Sequence, residues 1–96
     1  MTVQEKIHEY LSVHRDEMVE DIKTLIKVDS ARAEALPGKP YGEGAAEALH
    51  AGLSLFEKHG FLGKNWDNYA IDTVINGKEL GLDILAHLDV VPGGDG

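Results

Sequence analysis

The 96-residue chain contains no cysteine. That excludes disulfides and thiolate zinc sites, so any metal ion would have to be held by histidine and carboxylate side chains. Long apolar runs are missing too, and none approaches the ~20 residues a membrane-crossing helix needs. The first ten residues, "MTVQEKIHEY", lack the charged leader and apolar stretch of a secretory signal. A cytoplasmic protein with no membrane partner is the expectation. Basic residues are scarce: 9 Lys and Arg against 17 Asp and Glu leave a formal charge of -8. A nucleic acid or anionic membrane would meet net repulsion, so no nucleic-acid partner is expected, and small, neutral or metal-bound ligands suit the chain better.

What is present begins with a helical period. Between Val3 and Ile26 the apolar residues Val3, Ile7, Leu11, Met18, Ile22 and Leu25 recur at helical spacing, with charges on the opposite face. Thr2 with Glu5 three residues on has the spacing of a capping box and sets the start of this helix. Residues 30–43, "SARAEALPGKPYGE", hold two prolines and two glycines and read as a loop ordered by its surroundings. Loops of that length in compact domains are often functional. A second helix is predicted from Gly44 to His59, with Ala45, Ala48, Leu49, Gly52, Leu53 and Phe56 on one face. Gly60 supplies its stop, and Lys58 and His59 sit at its negative end.

Beyond Tyr69 the period changes to two. Ala70, Asp72 and Val74 alternate with Tyr69, Ile71, Thr73 and Ile75 before Asn76-Gly77, which reads as a hairpin turn. The run Leu80 to Leu88 is nearly continuous in apolar residues, as in a strand covered on both faces. Two helices and a hairpin predict an α/β class with helices packed on a mixed sheet. Two strands alone are too few for a stable sheet. The sequence therefore reads as one incomplete domain over residues 1–96, the opening part of something longer.

The chemistry gathers near the end, in "ILAHLDVVPGGDG". On a strand, His87 and Asp89 would project from one face, and a carboxylate beside an imidazole fixes its tautomer and aims its other nitrogen at a metal. Ligands in open α/β sheets collect at the carboxyl ends of strands. By itself the H-x-D pair fits equally a structural histidine bonded to its neighbour. His8 and His14 fall off a shared helical face, and His50 and His59 read as helix-surface and helix-end residues. Asp83 is expected on the face opposite Ile84, amid apolar neighbours, and Asp95 in a glycine-rich terminus. Neither a P-loop nor an EF-hand spacing is present. Asn65, Asp67 and Asn68 read as polar turn residues.

The segment "LAHLDVVPGGDG" resembles the first metal-binding motif of the M20 family of metallopeptidases, which reads H-x-D-V-V-P followed by G-x-G and usually a tryptophan. "LPGKPYGEGAAEAL" and "HGFLGKNWDNYA" resemble the segments that precede that motif in the PepV-like dipeptidases of the family, so the likeness covers most of residues 20–96. Departures are Gly93, Trp66, and an end just short of the expected tryptophan.

The resemblance implies the N-terminal part of a zinc-peptidase-like catalytic domain that holds two metal ions, usually zinc, with manganese or cobalt as substitutes, and hydrolyses dipeptides or short peptides. His87 matches a metal ligand. Asp89 matches the catalytic-site aspartate that supports that histidine. The other ligands and the general base lie downstream in the family, so these residues alone are expected to be inactive. Substrate selectivity and oligomeric state are not written in this stretch. The alternatives are a non-catalytic α/β module that binds another chain by strand addition, and a family relative without activity.

Overall fold

The computed structural model describes residues 1–75 and 81–92. Helix α1 spans Val3–Ile26 and helix α2 spans Glu43–Lys58, followed by strands β1, Gly63–Trp66, and β2, Ala70–Thr73. The two strands pair antiparallel with Asn65 opposite Ile71, and α2 lies across them. The class is α/β, helices on a sheet.

Thr2 caps α1, its hydroxyl accepting the Glu5 amide at 3.1 Å, and it donates to the Glu5 carboxylate at 3.1 Å. The first bond is the N-cap half of the capping box read from the sequence; the return contact goes to the Thr2 hydroxyl and not to its backbone amide. Helix α2 packs through small residues. Ala45, Ala46, Ala48 and Gly52 are its buried positions. A Cβ on Gly52 would sit 2.7 Å from Ile71 Cδ1 and 3.2 Å from Leu88 Cδ1, so the absent side chain is what lets β2 and the 81–92 segment close on the helix.

The hairpin differs from the sequence expectation in its partner. Strand β2 alternates as predicted, with Ile71 and Thr73 half-buried, but it pairs backwards onto β1. Asp67 and Asn68 at φ 54° and 62° give the connecting turn the handedness that matches strand twist. Asn65 Oδ1 accepts the Asn68 amide at 2.8 Å, and Tyr69 N–H donates to the Trp66 carbonyl at 3.0 Å. These bonds fold the chain at 67–68. The expected turn at Asn76-Gly77 lies outside the described residues. The predicted strand from Leu80 is not formed over 81–88. Leu82, Ile84 and Leu85 are 80%, 79% and 89% exposed, because nothing among the described residues offers those backbone groups a ladder.

Helix α1 is amphipathic, as its period predicts, yet none of its residues is buried. The apolar surfaces of α2 and the hairpin are spent on each other, which leaves Ile7, Leu11, Met18 and Ile22 exposed. One polar clasp ties α1 to the end of α2. Lys58 Nζ donates to half-buried Asp21 at 2.5 Å and His59 Nε2 to its other oxygen at 2.7 Å. His59, read as a plain helix-end residue, is part of that clasp.

The hydrogen bond from Lys58, then that from His59, holds the Asp21 carboxyl below its ordinary value of 3.8. The same bond to Asp21 raises Lys58 above 10.5. A depressed carboxyl contributes stability that is complete above its unfolded value and is lost as pH falls through the folded one. A raised lysine contributes below its unfolded value and loses the contribution as pH rises. The Lys58–Asp21 bond is therefore intact across the whole neutral range. Asp21→Asn should flatten the acid limb of the thermal-stability profile below about pH 5. Superimposable wild-type and variant profiles would show that the clasp carries none of it. Because Lys58 and His59 stand open to solvent on one side of the half-buried Asp21, the effect is small.

Candidate functional site

The site is positioned from the junction between α1 and the loop that follows it. Ser30 is 3% exposed and is the buried polar residue among those described. Its hydroxyl donates to the Leu88 carbonyl at 2.7 Å, and its own carbonyl accepts the Val90 amide at 3.4 Å. A single parallel bridge joins Ala31 to Val90. Residues 81–92 are otherwise irregular, so these contacts, together with Leu88 packed against α2 at Gly52, are what place them. On the other side of the junction, the first turn of α2 presses against Asp29. A Cβ on Gly44 would collide with the Asp29 carbonyl oxygen, so only glycine lets the helix start there.

His87 and Asp89 come together as the sequence predicts, although not on a strand. The His87 Nδ1 meets the Asp89 main-chain carbonyl at 3.1 Å and the Asp89 carboxylate at 3.5 Å. The orienting acceptor is thus first the backbone and second the carboxylate, where the sequence pointed to the carboxylate alone. An imidazole that donates from Nδ1 carries its lone pair on Nε2, the nitrogen then available to a ligand. Both side chains are open to solvent, 83% and 64% exposed. Neither is sealed in an apolar layer.

The pair forms part of the wall of a cleft of about 410 Å³ between α2 and β2. Ala45, Ala48 and Ile71 give it an apolar floor, and Arg32, Tyr41 and Tyr69 line it with polar and aromatic groups. The Tyr41 ring meets Tyr69 edge-on, with centroids 5.8 Å apart, and the Arg32 guanidinium lies 5.2 Å from the Tyr41 centroid. Asn68 Nδ2 donates to the Gly38 carbonyl at 2.8 Å, which ties the 30–43 loop to the hairpin turn. Leu36 and Lys39 exchange backbone hydrogen bonds at 2.9 and 2.8 Å, so the loop is ordered by its own turn as well.

Sequence reasoning missed Ser30, Arg32 and Tyr41. Ser30 and Arg32 stand outside the segments quoted for the family resemblance, Tyr41 lies within one but carries no chemical signal of its own, and a bond from residue 30 to residue 88 leaves no mark in either local pattern. The other candidates stay apart. Asp83 is exposed and outside the cleft lining. Asp95 lies outside the described residues.

Among the described residues, no group of three or more histidine, cysteine, aspartate or glutamate side chains is placed to hold a metal ion. A catalytic zinc takes three protein ligands and an open position. The donor set therefore fits one corner of a coordination shell and does not make a complete site.

Comparison with known proteins adds a class. The chain is 37% identical over 84 residues to Putative dipeptidase YtjP of Bacillus subtilis (strain 168). It is 37% identical over 95 residues to Putative dipeptidase of Staphylococcus epidermidis, and 32% identical over 90 residues to Beta-Ala-Xaa dipeptidase of Lactobacillus delbrueckii subsp. lactis. Those alignments take in 85%, 97% and 92% of this chain but 18%, 19% and 19% of the relatives, so the chain spans about a fifth of the length of the dipeptidases it matches. No family model matches it. No helix among the described residues is long and apolar enough to cross a membrane.

Proposed function

We propose that this chain is part of a cytoplasmic, metal-dependent peptide hydrolase of the M20 type, acting on dipeptides or short peptides with zinc as its metal. His87 would hold the metal through Nε2, and Asp89 would keep the ring turned by receiving the Nδ1 proton bond. When bound, zinc lowers the pKa of its water towards ~7 and polarises a carbonyl oxygen. The single observation that carries the reading is an exposed imidazole on a cleft wall with Nδ1 already occupied at 3.1 Å. That is how metal-ligating histidines are prepared. The dipeptidase names of similar proteins support the substrate class.

These residues alone would hold zinc weakly and turn nothing over, because one ligand does not retain the ion; in this reading the other ligands belong to the rest of the intact hydrolase. The exposed run Leu82, Ile84 and Leu85 would also serve the alternative of strand addition to another protein. The two readings separate on activity. Intact protein should hydrolyse a dipeptide, lose that activity on dialysis against a chelator, and regain it with added zinc. Hydrolysis indifferent to the chelator would refute the metal, and no hydrolysis with zinc restored would refute the enzyme.

A further inference from the structure

We infer that Ser30 is a positioning residue of the site, acting on His87 and Asp89 through the backbone between and beside them; this rests on the proposed metal-dependent hydrolase. The hydroxyl of Ser30 donates to the carbonyl of residue 88, which lies between the two, and the Ser30 carbonyl accepts the amide of residue 90, the next one on. One residue thus grips the main chain on both sides of Asp89. No other side-chain hydrogen bond ties residues 81–92 to a distant segment among the described residues, and the segment has no ladder of its own.

Burial makes the grip stiff. At 3% exposure the hydroxyl has little water to turn to, so its partner is the Leu88 carbonyl or nothing. Ser30 is itself held, since Asp29 beside it lies against the first turn of α2 at Gly44, and Asp29 Oδ1 accepts the Ala31 amide at 3.3 Å. The path runs from helix to junction to the 88–90 backbone and so to the imidazole. His87 and Asp89 are exposed side chains with no packing to steady them, and their mutual geometry depends on where residues 88–90 are placed.

Ser30→Ala, Ser30→Cys and Ser30→Thr in the intact protein test this, with zinc affinity of the metal-free protein measured by competition against a chromophoric chelator. Loss of an outer support of this kind costs about 10- to 100-fold in metal affinity or turnover. The expectation is that loss in zinc affinity and in kcat for Ser30→Ala, with KM little changed and the circular dichroism spectrum retained. Ser30→Thr, which restores the hydroxyl, should return both towards wild type. Ser30→Cys keeps the volume and weakens the donor, so it stands in if Ser30→Ala does not fold. Wild-type zinc affinity in the alanine or cysteine variant would overturn the assignment, as would equal losses in Ser30→Ala and Ser30→Thr. His87→Ala run alongside keeps the two claims apart. Unchanged zinc affinity there sinks the metal-site reading, whereas a loss there with none in Ser30→Ala sinks the role of Ser30 alone.

Discussion

Replacing His87 with alanine in the intact protein is expected to lower kcat/KM for a dipeptide by roughly 100-fold or more, because a missing ligand costs more than a missing outer support. The melting temperature should stay where it is. The ring is 83% exposed, so truncating it uncovers no apolar surface and strands no buried partner. That split between activity and stability identifies a site residue. A structural histidine, the plain alternative for an H-x-D pair, would give the reverse pattern, with stability falling and turnover following only in proportion to the folded fraction.

Alanine at Gly44 is the second large effect, and here stability is what falls. Helix propensity alone would favour alanine over glycine by up to about 1 kcal/mol. The new Cβ, however, runs into the main-chain carbonyl of Asp29, which cannot swing aside as a side-chain tip can. Overpacking of that kind costs about 1–3 kcal/mol and sometimes more. The collision wins, and a net loss of about 1–2 kcal/mol in denaturant unfolding is expected. Since Asp29 is bonded to Ser30, the displacement also reaches the 88–90 backbone, so zinc affinity of the intact protein should weaken together with stability. An unchanged or raised unfolding midpoint would mean that α2 starts elsewhere.

The helices were legible in the sequence because their signals are local. Helix α1 begins at Val3 after the Thr2 cap, as the sequence indicates, while its end at Ile26 was open in the sequence, where Val28-Asp29-Ser30 reads equally as helix end or short extended piece; α2 ends before Gly60 at φ 86°. Its predicted apolar face is the one that turns inward, with Ala45, Ala48 and Gly52 buried. The alternation of Ile71 and Thr73 against Ala70 and Asp72 was readable for the same reason. The partner of that strand was not. Asp67-Asn68 is a polar pair like many in loops, and the Asn65 and Asn68 side-chain bonds are what make it the turn into β2.

The covering of α1 was equally unreadable. An apolar stripe states that a surface needs a neighbour and says nothing of which neighbour. For the site, His87 and Asp89 could be named from a motif, whereas the cleft beside them is built from residues 32, 41, 45, 48, 69 and 71, which converge only through the fold. Nor does a sequence show that the nearer acceptor for His87 is a backbone carbonyl.

Crystals of the zinc-loaded intact protein, with anomalous differences collected at the zinc edge, test the whole account most directly. The expected result is a peak about 2.0–2.1 Å from His87 Nε2 with Nδ1 still turned to Asp89. A fully occupied zinc ion elsewhere in the protein, with the His87 ring out of bonding reach, would contradict it.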